Sequence, residues 1–151
     1  KNSIIQPVLQ WTTDEKTGER SWSVASYVVT STRQAKHTPF VQVKPGLEIT
    51  GLIKFEKMEG PLFVYSVEFV NIAKTKMLVR SSKPFELLFH TLEIYDIGSC
   101  SDLPDTNKTD FFNVEVKTKN GSTVQWTPKD ETNACGLGCA QDSQGRLIVF
   151  Y

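Results

Sequence analysis

Residues 84–97, PFELLFHTLEIYDI, form the longest apolar run of the chain and decide the predicted fold. Both alternating sides of this stretch are largely apolar, with Phe85 and Phe89 on one side and Leu88 and Leu92 on the other. A strand that is apolar on both sides is typically covered on both faces. We therefore expect a central strand at residues 84–97.

Glu93 lies inside this predicted strand, where a carboxylate is costly unless it is paired or has a function. Its neighbours along the same side are Thr91 and Tyr95. A carboxyl group on the inner face of a sheet can have a raised pKa and act as a general acid or base. The sequence therefore marks Glu93 as a candidate catalytic residue.

The length and charge of the chain limit the classes of partner. At 151 residues we predict one domain, residues 1–151, which is long enough to bury a full core. Seventeen Lys and Arg balance seventeen Asp and Glu, whereas binding to nucleic acid or to an anionic membrane needs a basic surplus. No apolar run approaches the ~20 residues of a membrane-spanning helix, so we also predict no membrane span.

Short alternating stretches, separated by turns rich in Gly and Pro, recur along the chain, and no stretch shows three turns of helical periodicity. The Asn120-Gly121 pair predicts a hairpin turn. The predicted strands are residues 4–11, 21–32, 40–44, 47–57, 62–72, 74–80, 84–97, 111–118, 123–126 and 146–151, with a polar loop at residues 129–145. We therefore predict an all-β protein, an antiparallel β-sandwich of the jelly-roll or concanavalin-like type.

The three cysteines are Cys100, Cys135 and Cys139, and their odd number leaves one thiol over or one bridge to another chain. We favour a Cys100–Cys135 disulfide, which stabilises the fold by about 4 kcal/mol through loop closure. Cys139 would then be a free or intermolecular thiol. A Cys100–Cys139 pair is the nearest alternative, and a Cys135–Cys139 bridge would close a tight, less common loop.

Two N-glycosylation sequons, at Asn107 and Asn120, lie in turn-like surroundings. Together with a disulfide they favour a secreted glycoprotein, and the alternative is a cytosolic protein with buried thiols. The two histidines, His37 and His90, have no distinctive local context, and the Cys135–Cys139 spacing is at most half of a zinc site. We therefore predict no metal and no cofactor.

The first predicted strand carries Gln10 on the side opposite to Leu9 and Trp11. A glutamine amide N–H is a neutral donor that suits a developing oxyanion. In chain order, Val8-Leu9-Gln10, the aromatic residues 22–27 and Leu92-Glu93-Ile94-Tyr95-Asp96 resemble the glutamic peptidases of the eqolisin type, which are concanavalin-like β-sandwiches. The resemblance covers roughly residues 5–97 and implies that Glu93 is the general base and Gln10 the oxyanion donor.

The chain also departs from that family. Trp11-Thr12-Thr13 stands where those peptidases have a glycine-rich segment, and the chain is neutral with many lysines whereas they are strongly acidic. The C-terminal half shows no match. The composition therefore favours binding over catalysis, and whether the protein is an enzyme stays open.

Three functional hypotheses follow from these features. The first is a secreted, non-enzymatic, lectin-like protein that binds a glycan or an elongated apolar ligand on an aromatic face of the sandwich. The residues predicted to form that face are Trp11, Trp22, Tyr27, Tyr65, Phe89 and Tyr95, although aromatic rows on strands are also typical of a core. The second is a glutamic-type endopeptidase or an inactive relative, and the third is a disulfide-linked structural protein in which Cys139 bridges the subunits of a homo- or hetero-oligomer.

Overall fold

The computed structural model describes residues 3–13, 17–30, 32, 34–93, 95, 98–103, 106–118, 120–122, 124–127, 129 and 135–150. The regular secondary structure of these residues consists of β-strands and one 3₁₀ turn, and every strand pair is antiparallel. The all-β prediction is therefore confirmed. The chain divides into two compact units, residues 1–86 and 87–151, and the single-domain organisation stays a prediction.

The first unit begins with a four-stranded sheet in which β2 pairs with β1 on one side and with β3 and β4 on the other. β1 and β2 form a long hairpin in unbroken register, from Ile4 opposite Val29 to Thr13 opposite Arg20. Alternating β-branched and aromatic residues favour this extended structure. The strands of the sheet are β1 (Ile4–Thr13), β2 (Arg20–Val29), β3 (Ala35–His37) and β4 (Val41–Gln42).

The edge formed by β3 and β4 is interrupted at residues 38–40. The Thr38 N–H donates to the Ser26 carbonyl, and Thr38 Oγ1 accepts from the Ser26 N–H, both at 3.0 Å. Pro39 has no N–H to donate, so it fits a position where the ladder is broken. The strand predicted at residues 40–44 is consequently only Val41–Gln42.

A second sheet of the same unit contains β5 (Gly51–Glu59), β6 (Leu62–Phe69) and β7 (Met77–Ser81), in the order β5-β6-β7. Gly60, with a φ of 59°, allows the tight turn between β5 and β6. The middle strand β6 is the most buried of the three, because it pairs on both edges. Its buried Ser66 hydroxyl donates to Glu56 Oε1 at 2.7 Å.

The core of this unit contains residues from both of its sheets. Ile5 of the first sheet clusters with Tyr65, Val67 and Val79 of the second. The strands approach closely at Gly51, where an added Cβ would lie 2.6 Å from Pro7 Cγ. The partly buried residues packed on this cluster are Val28, Phe63, Met77 and Phe85.

The second unit contains one 3₁₀ turn, Cys100–Asp102, and a three-stranded sheet in the order β8-β10-β9. Cys100 and Cys135 form a disulfide with a Cα–Cα distance of 5.4 Å, the pairing favoured from the sequence. Cys139 is half-buried in the middle of β9. The strands are β8 (Lys108–Phe111), β9 (Gly138–Gln141) and β10 (Leu147–Phe150).

The prediction of a central strand at residues 84–97 is wrong for the part that the structure describes, residues 84–93 and 95, where no strand forms. Leu87 is 73% exposed, and Phe89 and Tyr95 are also largely exposed. Hydrophobicity alone does not make a strand, because the backbone N–H and C=O groups also need a neighbouring strand to pair with, and none pairs with residues 84–93 or 95. Residues 94, 96 and 97 lie outside the described residues.

The C-terminal strands also differ from the prediction. Of the strand predicted at residues 111–118, only Phe111 belongs to a strand, apart from an isolated bridge at Lys117, and residues 124–126 form none. The turn between them is present, with the Gly121 N–H donating to the Thr118 carbonyl at 3.0 Å. β9 forms inside the segment predicted as a loop, because it pairs with the terminal strand β10.

Candidate functional site

The six aromatic residues expected on one open face do not share a surface. Tyr65 is only 9% exposed, and its ring packs edge-on against Phe55 and Phe85. Its hydroxyl accepts the Phe85 N–H at 3.2 Å. Tyr65 is therefore a core residue, and the expectation that it lines a ligand-binding face is corrected.

Trp11 and Trp22 lie directly opposite each other on β1 and β2. Their ring centroids are 5.3 Å apart and their planes meet at 62°, an edge-to-face arrangement. Trp11 is 54% exposed, and its neighbour Leu9 on the same face is also exposed. We call the surface formed by Leu9, Trp11 and Trp22 the tryptophan platform.

The position of the tryptophan platform follows from the hairpin register. Side chains alternate along a strand, so Trp11 shares its face with the core residue Ile5. The next pair toward the hairpin loop on this face is Thr13 opposite Arg20. The platform is therefore the continuation of the buried face past the core, flanked by a hydroxyl group and a guanidinium group.

The opposite face of the same sheet carries Gln10 and a row of three rings. Gln10 Oε1 accepts the Tyr27 hydroxyl at 2.8 Å, and burial raises the pKa of Tyr27. The His37 ring lies 5.0 Å from Tyr27 and stacks on Phe40 at 4.6 Å with an interplanar angle of 10°. Its Nδ1 is 2.7 Å from the Thr38 carbonyl oxygen, which can only accept, so Nδ1 carries the proton.

Glu93 belongs to the second unit and Gln10 to the first. The Glu93 side chain is exposed, and its Oε2 accepts the Tyr95 hydroxyl at 2.7 Å, which raises the pKa of Tyr95. The expected burial of this carboxylate on an inner face is therefore wrong. The amide N–H groups of Gln10 have no hydrogen-bond partner in the described part of the chain.

The second unit contains a cavity of about 480 Å³ that the sequence did not predict. Half-buried valines, Trp126 and several amide side chains line it. The only local signal was the Asn120-Gly121 turn, because the lining comes from three separate segments without periodicity. The lining residues are Asn113, Val114, Glu115, Val116, Lys117, Gly121, Ser122, Val124, Gln125, Trp126, Gln141, Gln144 and Gly145.

The His90 ring packs against one side of Trp126, with ring centroids 4.8 Å apart, and against Phe111 at 5.3 Å. Although part of His90 stays exposed, burial of the ring lowers its pKa from the usual 6.5. Trp126 therefore both contacts His90 and lines the cavity.

Across the residues that the structure describes, no three His, Cys, Asp or Glu side chains come together in a group that could hold a metal ion. The same residues contain no helix that is long and apolar enough to cross a membrane. No protein-family model, no curated protein and no solved structure matches the chain. The candidate sites are therefore assigned from their geometry and chemistry alone.

Proposed function

We propose that this chain is a secreted, non-enzymatic protein that binds a glycan chain on the tryptophan platform. The observation that carries the proposal is the exposure of Trp11 beside Leu9 and Trp22 on a regular two-stranded hairpin. Exposed apolar clusters on a soluble protein typically mark interaction sites. Sugar rings have apolar C–H faces that pack against indole rings, while their hydroxyl groups stay in water.

The open shape of the platform favours a glycan over an elongated apolar ligand. Sites for apolar small molecules typically enclose most of the ligand surface, whereas Trp11 and Leu9 lie on an open sheet surface. Arg20 and Thr13, next on this face, offer hydrogen-bond donors to sugar hydroxyl or carboxylate groups. A polysaccharide chain fits such a surface because the chain can bind with only one side in contact with the protein.

The proposed fold and location agree with this function. Two antiparallel sheets that share one core cluster in residues 1–86 support a β-sandwich of the jelly-roll or concanavalin-like type. The Cys100–Cys135 disulfide and the exposed sequon residues Asn107 and Asn120 support an extracellular glycoprotein. An extracellular location would give the platform access to cell-surface or matrix polysaccharides.

The experiment is affinity electrophoresis of the full chain in gels that contain single soluble polysaccharides, preceded by a glycan array that selects them. Trp11→Ala is expected to weaken the affinity for the polysaccharide about tenfold, because one aromatic packing contact contributes about 1–1.5 kcal/mol. Phe40→Ala is the matched control, since Phe40 is 49% exposed on the opposite face of the same sheet. Equal retardation of the Trp11→Ala variant and the parent would refute the proposal.

Two alternatives remain as hypotheses with less support. For a glutamic-type peptidase, the available N–H groups of Gln10 suit an oxyanion donor, but the Glu93 carboxylate is exposed and is bonded to the Tyr95 hydroxyl. Cleavage of casein at acidic pH that is lost in Glu93→Gln would support this activity. For a disulfide-linked assembly through Cys139, dimers on non-reducing electrophoresis would be the supporting result.

A further inference from the structure

We propose that the cavity of the second unit is a separate binding site for a neutral sugar residue, held by glutamine amides and Trp126. We call this cavity the amide cleft. Its volume of about 480 Å³ lies in the range of small-molecule sites and accommodates one or two sugar rings. The proposal does not rest on the tryptophan platform, because no residue of the platform lines the cleft.

The polar groups of the amide cleft require a ligand that both donates and accepts hydrogen bonds. The side chains of Gln125, Gln141 and Gln144 line it, and each offers two N–H donors and one carbonyl acceptor. None of the three amides bonds to another group in the described ranges of the chain. An apolar ligand would displace water from these amides without replacing its hydrogen bonds, whereas vicinal sugar hydroxyls match them.

The charges at the amide cleft favour a neutral ligand. Glu115 and Lys117 are the charged residues of the lining, and they pair with each other at 3.0 Å. Among the described lining residues there is therefore no surplus cation for a phosphate or sulfate group and no surplus carboxylate for an amine. A neutral saccharide satisfies this balance.

The apolar part of the cleft is positioned to meet the C–H face of a sugar. The half-buried Val114, Val116 and Val124 line it together with Trp126. The His90 ring contacts the indole of Trp126 at a centroid distance of 4.8 Å. An aromatic ring that is already packed in the free protein loses little conformational entropy when a ligand packs against it.

One wall of the cleft is a rigid turn built on Asp142. Asp142 Oδ1 accepts the N–H groups of Gln144 and Arg146, both at 2.9 Å, and Oδ2 accepts from Arg146 Nε at 2.6 Å. Gly145 has a φ of 79°, which glycine adopts at low cost, and its N–H donates to the Asp142 carbonyl at 3.0 Å. The turn thereby holds the backbone of Gln144 in place before a ligand arrives.

The experiment uses a variant of the chain in which Trp126 is the only remaining indole. In a Trp11→Phe/Trp22→Phe variant, fluorescence is titrated with a panel of neutral mono- and disaccharides, and saturation-transfer NMR records which ligand protons contact the protein. We expect a saturable change for at least one sugar in the millimolar range. Because Trp126 is the only indole of this variant, its fluorescence reports binding at the cleft whether or not the first sheet binds a glycan.

The specificity control changes the amides and leaves the indole in place. Gln125→Ala/Gln144→Ala in the same background should weaken binding about tenfold, whereas Gln42→Ala, an exposed glutamine on β4, should leave it unchanged. Circular dichroism verifies that each variant is folded. The proposal is overturned if no neutral sugar gives a saturable signal, if only charged sugars do, or if the double glutamine variant binds as tightly as its parent.

Discussion

Val67, in the buried middle of β6, tests which strand organises the first unit. Its side chain is 0% exposed and belongs to the cluster shared by the two sheets. Val67→Ala removes two buried methyl groups, a transfer loss of about 1.6 kcal/mol, and the residual cavity raises the expected cost to about 2–3 kcal/mol. With a urea m-value of about 1–3 kcal/mol/M, the unfolding midpoint should fall by roughly 1–2 M in a denaturation curve followed by circular dichroism.

Leu87→Ala is the control for this prediction, because Leu87 is equally apolar and belongs to the stretch that the sequence marked as central. The structure exposes most of the Leu87 side chain, so the change should alter the free energy of unfolding by less than about 0.5 kcal/mol. If Leu87→Ala destabilises the protein as much as Val67→Ala does, the Leu87 side chain is buried in solution, and the exposure of this stretch is refuted.

Three further perturbations test the disulfide, a close approach of strands and a buried ring. Replacing Cys100 and Cys135 by Ser should lower the free energy of unfolding by about 4 kcal/mol, since the bridge spans a sequence separation of 35, and a reductant should abolish the difference from the parent. Gly51→Ala should lower the free energy of unfolding by about 1–3 kcal/mol, because its Cβ would lie 2.6 Å from Pro7 Cγ. Adding Pro7→Ala should partly restore the melting temperature. An unchanged melting temperature in Gly51→Ala would contradict the close contact between these two strands. The free energy of unfolding should rise with pH between the lowered pKa of His90 in the folded chain and 6.5, because the unfolded chain binds more protons in that window. If the free energy of unfolding of His90→Gln has the same pH dependence, His90 is not its source.

The elements that the sequence predicts well are those whose apolar residues recur at every second position. The row that begins with Phe63 and continues through Tyr65, Val67 and Phe69 shows this period of two, and these residues are buried or half-buried in the second sheet, as are Val64 and Ser66 between them. The β1–β2 hairpin is predictable for the same reason, although both of its strands end at slightly different residues than expected. A period of two in the apolar residues identifies a strand because successive side chains of a strand point to opposite faces of the sheet.

The amide cleft was not predictable, because turns and irregular segments form most of its lining. Gln125 and Gln141 come from segments far apart in the sequence, and each is an ordinary exposed residue when considered alone. The apolar stretch at residues 84–97 shows the opposite problem. Its residues have the hydrophobicity of a central strand, but hydrophobicity does not specify which backbone groups will be available to pair with it.

The case for catalysis by Glu93 depended on this apolar stretch. A carboxylate inside a covered strand is costly, and that cost was the reason to assign it a function. In the structure Glu93 is exposed and hydrogen-bonded to Tyr95 without a strand around it, so solvation removes the cost. Trp11 presents the converse case, because an indole that is more than half exposed keeps an unfavourable contact with water. The contact of the Trp11 indole with water is therefore the energetic cost that a function would explain, and for this reason binding is better supported than catalysis.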